Sequence, residues 1–191
     1  MSGTSMAAPY MAGAAAVMEQ YICENRGGLN MTAAQRTALF NAIMMSTVAP
    51  VKDENDLPYS PRKQGAGLVR LENAVNSNAY LLNKGGTVPK AETGYNGNGK
   101  FTFDFKAVSM SGKSIEYEPS VTVLTEDTVS ENGVLYMAQR ARKLSSDEVV
   151  VTIPNKIVLP ANDETEISVK AELTEKGKAN LKADFPNGIY I

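Results

Sequence analysis

Apolar positions along this chain follow two rhythms, and the change falls near residue 80. Residues 6–22 are apolar almost all round: Met6, Ala7, Ala8, Met11, Ala12, Ala14, Ala15, Ala16, Val17 and Met18. A helix with no polar face belongs in the middle of a larger core. Small side chains at Ala12, Gly13 and Ala16 would let neighbouring backbone approach it closely. Thr32 is placed to cap a second helix over residues 33–45, where Ala34, Ala38, Ile43 and Met45 alternate with Gln35, Arg36 and Asn41. Pro50 and Pro58 bound an irregular loop, residues 64–67 read as a turn, and a short third helix is expected over 70–76.

Beyond residue 99 the period becomes two. Residues 100–105, 120–125, 149–153 and 164–173 alternate or carry β-branched runs, with turns at Gly112-Lys113, Asn132-Gly133 and Asn187-Gly188. About six strands fit, which predicts an antiparallel sandwich. The last strand, from Gly188, breaks off at Ile191, so the sandwich is expected to be incomplete there with an unpaired edge. Gly85, Gly86, Pro89, Gly94, Gly97 and Gly99 mark the stretch between the rhythms as a loop. The expected division is a helical unit over 1–80, a linker over 81–98 and a β unit over 99–191.

Composition narrows the chemistry. The 191 residues carry 19 Lys+Arg and 21 Asp+Glu, a net charge of −2, with no long basic run. That balance gives no electrostatic reason to expect nucleic acid or an anionic membrane as partner. No window approaches 18 uninterrupted apolar residues, so no membrane span is expected, and nothing after Met1 reads as a signal peptide. A single cysteine, Cys23, forms no internal disulfide, and no zinc-ligand spacing exists. There is no histidine at all. Ser-His-Asp chemistry therefore cannot be complete within these residues.

The strongest local signal is Ser2-Gly3-Thr4-Ser5-Met6-Ala7-Ala8-Pro9, which runs straight into the apolar helix. It puts Ser5 at a helix N-terminus behind a glycine that permits a sharp turn. Free backbone N–H groups there can receive a developing oxyanion. Pro9 is read as a first-turn proline, where its missing donor costs the helix nothing. An isolated serine in such a place is ordinarily a helix cap. The full octapeptide argues for more.

G-T-S-M-A-x-P followed by a small-residue helix resembles the nucleophile motif of the subtilisin-like serine proteases, and the match extends through Tyr10-Met11-Ala12-Gly13-Ala14-Ala15-Ala16. Many members carry His where this chain has Tyr10; that His is not the catalytic base. Residues 44–51 resemble the segment that ends the helix after the nucleophile helix. Residues 59–69, with Gln64-Gly65-Ala66-Gly67, resemble the close of the catalytic domain. Their Y-S-P-R-x-Q-G-A-G form is similar to the cell-envelope proteinases of Gram-positive bacteria, the lactocepins and the streptococcal complement-cleaving peptidase among them. The resemblance implies a mixed fold: the helical C-terminal segment of an α/β subtilisin-like domain, then an all-β fibronectin type III-like sandwich.

Carried over by position, Ser5 matches the nucleophile and its backbone N–H an oxyanion-hole donor, with Gly3, Thr4, Met6 and Pro9 as the neighbouring motif. Met6 matches the oxidation-sensitive methionine beside the nucleophile. The catalytic His, Asp and oxyanion Asn precede the nucleophile in that family, so these residues by themselves are expected to be inactive. The resemblance implies protein or peptide substrates for the parent, an extracellular or cell-wall location, and partnership with the rest of the catalytic domain. It implies no cofactor in this chain and leaves calcium to the parent. The apolar helix predicts self-association of the chain by itself. Beside this reading stands a non-catalytic one, in which the β unit serves for spacing, substrate docking or domain bracing.

Other side chains carry less. Cys23 reads as a small core residue rather than a reactive thiol. Asp53, Glu54, Asn55 and Asp56 read as a solvated acidic loop before a calcium site. Arg140, Arg142 and Lys143 are expected on exposed surface, and Asp163, Glu164 and Glu166 on the solvent face of a strand.

Overall fold

The structure is a computed structural model, described here for residues 3–94 and 97–186. The Asn187-Gly188 turn and the strand expected after it lie outside the described residues. Helix α1 spans Thr4–Asn25, α2 Ala33–Thr47, α3 Pro61–Gln64 and α4 Leu71–Asn76. The cap of α2 is the one the sequence implies. Thr32 accepts the Gln35 N–H, while the Gln35 side chain accepts the Thr32 N–H at 2.8 Å. This reciprocal pairing satisfies two otherwise free donors. Ala14 and Met18 of α1 pack with Ile43 and Met44 of α2 and Ala74 of α4. That core takes only the C-terminal half of α1. Residues 3–13 are exposed, Ala12 and Gly13 included, so the close backbone approach expected there is not made among the described residues.

Strands follow as β1 Ala79–Asn83, β2 Lys100–Ser109, β3 Ile115–Tyr117, β4 Leu124–Glu131, β5 Val134–Lys143, β6 Val149–Thr152, β7 Ile157–Leu159 and β8 Glu164–Leu173. The main sheet is antiparallel in the order β1-β2-β8-β6, with β3-β7 and β4-β5 as separate pairs. Its inner face buries Ala107 and Ile167 against Ile157 and Leu159 of β7. Its outer face is a ladder of paired charges: Lys100–Glu172, Lys106–Glu164 and Lys84–Glu166. Glu164 and Glu166 thus lie on the solvent side, as the alternation predicts.

Four expectations need correction. Residues 81–83, placed in the linker, continue β1, and Asn83 pairs with Phe105. The strand expected over 120–125 lies four residues later, because its register is set by the β4–β5 hairpin turn. Asn132 and Gly133 both have positive φ, 51° and 76°, the geometry of a two-residue turn that matches strand twist. The β unit is also not all-β. Helix α5, Glu175–Asp184, docks on the end of the sheet through Leu181, with Phe185 just beyond it. Gly177 permits this docking, since a Cβ there would stand 2.0 Å from the Glu148 carbonyl.

The fourth correction concerns Arg142, expected on open surface. It bridges Glu148, at 2.9 Å, and Asp184, at 3.2 Å. Glu148 is only 4% exposed and also accepts the Ser145 N–H and hydroxyl and the Asn180 amide. The Asn180 hydrogen bond, followed by the Ser145 N–H, holds its carboxyl at about 2 against an ordinary 4.5. A carboxyl depressed by folding contributes stability that is complete above its ordinary value and is lost as pH falls towards the folded one. Glu148→Gln is expected to cost about 2 kcal/mol near neutrality, as for hydrogen bonds to a charged group. It should also flatten the loss of stability between pH 4.5 and about 2. Denaturant titrations at several pH values check this; parallel curves for the two proteins would contradict it.

Candidate active site

The site expected from the sequence is the first turn of α1. Gly3 caps the helix with φ 142° and ψ 164° and no side-chain cap, a region essentially restricted to glycine. Its carbonyl accepts the N–H of Met6 at 3.0 Å and of Ala7 at 3.3 Å. Ser5 is therefore the second helical residue and not the cap, a correction to the simple N-cap reading. Helix geometry supplies no intrahelical acceptor for the Ser5 N–H, which sits at the positive end of the helix dipole. No acidic side chain occupies that first turn. Thr4, Ser5 and Met6 are exposed, Met6 to 54%. Ser2 lies outside the described residues.

Pro9 differs from its expected place. It is the sixth helical residue, one turn too late to replace a naturally free N–H. Its absent donor is the one that would close on the Ser5 carbonyl. Backbone hydrogen bonding is thus thinned on both sides of Ser5: its N–H by position, its carbonyl by proline.

The two downstream segments singled out in the sequence meet each other. Ala49 and Leu68 exchange backbone hydrogen bonds of 2.9 and 2.8 Å. Gly67, at φ 135°, makes this approach feasible, because a Cβ there would lie 2.7 Å from the Ala49 carbonyl. Gln64 then closes the intervening loop: its side-chain Oε1 accepts the Val51 N–H at 2.6 Å and its side-chain Nε2 donates to the Tyr59 carbonyl. The motif spells these residues out, but no single-sequence rule assigns Gln64 that task. Tyr10 and residues 68–73 line an open groove of about 430 Å³ beside α1.

The lesser candidates separate. Cys23 is a half-buried free thiol. Asp53 caps its own turn, accepting the N–H groups of Asn55 and Leu57, while Lys52 pairs with Asp56. Among the described residues no group of three or more His, Cys, Asp or Glu is arranged to hold a metal ion. Arg140 pairs with Asp127 at 2.7 Å and Lys143 is exposed. Sequence reasoning passed over Arg26, whose guanidinium lies 5.2 Å from the Tyr21 ring and donates to the Met110 carbonyl at 2.8 Å.

No family model matches the chain. Curated proteins do, over its whole length. It is 29% identical over 193 residues to the C5a peptidase of Streptococcus pyogenes serotype M1, covering 100% of this chain and 15% of that protein. The C5a peptidase of serotype M18 (strain MGAS8232) is 30% identical over 193 residues, covering 100% of this chain and 16% of the relative. The PII-type proteinase of Lacticaseibacillus paracasei is 27% identical over 213 residues, covering 97% of this chain and 11% of the relative. The homologues of this chain are thus cell-envelope proteinases, as the motifs indicate, and the chain spans a small part of their length.

Gly3→Ala is expected to strain the cap by about 1 kcal/mol or more and to fray the first turn. Hydrogen exchange at the Met6 and Ala7 amides should accelerate; unchanged exchange would show that the turn does not depend on the glycine conformation.

Proposed function

We propose that this chain is the nucleophile-bearing segment of a secreted subtilisin-like serine endopeptidase, followed by a fibronectin type III-like module. The observation that carries this reading is Gly3-Thr4-Ser5-Met6 opening α1 in a chain whose homologues are proteinases. In the proposed reaction the Ser5 hydroxyl attacks the scissile carbonyl and forms an acyl-enzyme, which water then hydrolyses. The Ser5 N–H donates to the oxyanion. The general base, its orienting carboxylate and a second oxyanion donor come from other residues of the longer protein, since this chain contains no His. Protein substrates and a place on the Gram-positive cell envelope belong to the same proposal. No helix among the described residues is long and apolar enough to cross a membrane.

A second reading, a non-catalytic role for the β unit, is favoured for one purpose, bracing. Leu81 of β1 donates its N–H to the Ser46 hydroxyl of α2 at 2.9 Å, and Tyr80 and Met110 pack on the helical core.

Two outcomes are expected. In the full-length proteinase a fluorophosphonate probe should label Ser5, and Ser5→Ala should abolish both labelling and casein cleavage. The 191-residue chain alone should neither label nor turn over. Labelling at another serine in active protein, or Ser5-dependent hydrolysis by the chain alone, would overturn the assignment.

The exposed side of α1 generates a further expectation. Tyr10 is 55% and Val17 49% exposed, in line with Met6, an apolar surface that water disfavours. The isolated chain is expected to self-associate, with sedimentation coefficients rising with concentration. Tyr10→Lys with Val17→Lys should suppress the rise; a monomer at every concentration would refute the expectation.

A further inference from the structure

Helix α1 holds Ser5 near one end and stops at Asn25, where Arg26 takes the cap and donates its N–H to the Ile22 carbonyl. The chain cannot drift beyond this point. Gly27 turns through φ 68°, and Gly28 packs so tightly that a Cβ would meet Ile22 and the Cys23 backbone at 2.8 and 2.9 Å. From this fixed corner the Arg26 side chain reaches out of the helical unit. Nη1 donates to the Met110 carbonyl, just past the end of β2, at 2.8 Å. Nη2 reaches the Ser77 carbonyl, just before β1, at 3.5 Å. Nε and Nη2 donate to the Tyr21 hydroxyl, the first at 3.0 Å, and the guanidinium lies 5.2 Å from the Tyr21 ring. Met110 and Tyr80 pack on the core that holds Ala14 and Met18.

The geometry points to Arg26 as a positioning residue: it couples the strands at the junction to the helix that carries Ser5, and so sets where Ser5 lies. This rests on Ser5 being the nucleophile. A helix is a stiff rod, and the rise from Ser5 to Arg26 is about 30 Å. A tilt of about 2° at the Arg26 end then displaces Ser5 by about 1 Å, and a misplacement of ~1 Å can cost about 10²-fold in rate. The planar fork suits the task, because it addresses carbonyls at two places in the chain and a phenol at once. A lysine has one point of attachment to offer.

Two measurements test this separately from the assignment of Ser5. In the full-length proteinase, kcat per titrated active site on a short peptide is expected to fall about 10-fold in Arg26→Ala, with KM nearly unchanged, and Arg26→Lys should fall between. A loss of titratable sites with kcat per site intact would mean that Arg26 serves folding only, and would overturn the proposal. In the 191-residue chain, spin labels at Tyr10→Cys and Thr102→Cys, in a Cys23→Ala background diluted with unlabelled protein, report the angle between α1 and β2. One narrow distance distribution is expected, broadened or shifted by Arg26→Ala. An unchanged distribution would overturn the coupling. A changed distribution, together with no Ser5 labelling in the active full-length proteinase, would keep the coupling and remove the nucleophile.

Discussion

Pairing between β1 and β2 is the constraint on which the rest of the molecule depends. The five residues Ala79–Asn83, separated from α4 by Ser77 and Asn78, lie antiparallel to the end of β2, Phe105 to Ser109. The same strand is held from the other side by Ser46, at the end of α2, and contributes Tyr80 to the helical core. One strand is thereby shared by two patterns, the 3.6-residue period of the helices and the two-residue period of the sheet. The Arg26 bonds to Met110 and Ser77 close the same joint from α1. Without this joint the core shared by α1, α2 and α4 would lose the cover of Tyr80 and Met110.

What the sequence made legible follows from how local each signal is. The capping box at Thr32 and the alternation of residues 164–173 are written in neighbouring residues, and the α2 start and both ends of β8 fall where expected. The Asn132-Gly133 turn was equally plain. Signals that depend on a distant partner were not. Nothing near Gly177 in the chain signals why a glycine is needed there; the Glu148 carbonyl packed against it does. Arg142 reads as surface until Glu148 and Asp184 are found on either side. Residues 81–83 have no alternating pattern of their own and become a strand because β2 lies beside them.

The same division applies to the site. The motif around Ser5 identifies the residue types, and family resemblance supplies their roles. It does not reveal that Ser5 lies inside the first turn, or that Pro9 withdraws the donor for its carbonyl. Both follow from where the helix begins, which Gly3 decides through its backbone conformation. Gln64 and Gly67 show the reverse case: a motif names them, and only the fold shows that they close the loop between Val51 and Tyr59 and admit the Ala49 carbonyl.

The charge ladder on the outer face of the main sheet bears on how the unit meets its neighbours. Lys84, Lys100 and Lys106 with Glu166, Glu172 and Glu164 cover that face with three cross-strand ion pairs. Stacking another sheet there would strip water from six charges, a loss that their mutual attraction rarely recovers. Another sheet is therefore steered away from the charged stretch, while the β1 end of the same face, at Tyr80, is where the helical core packs.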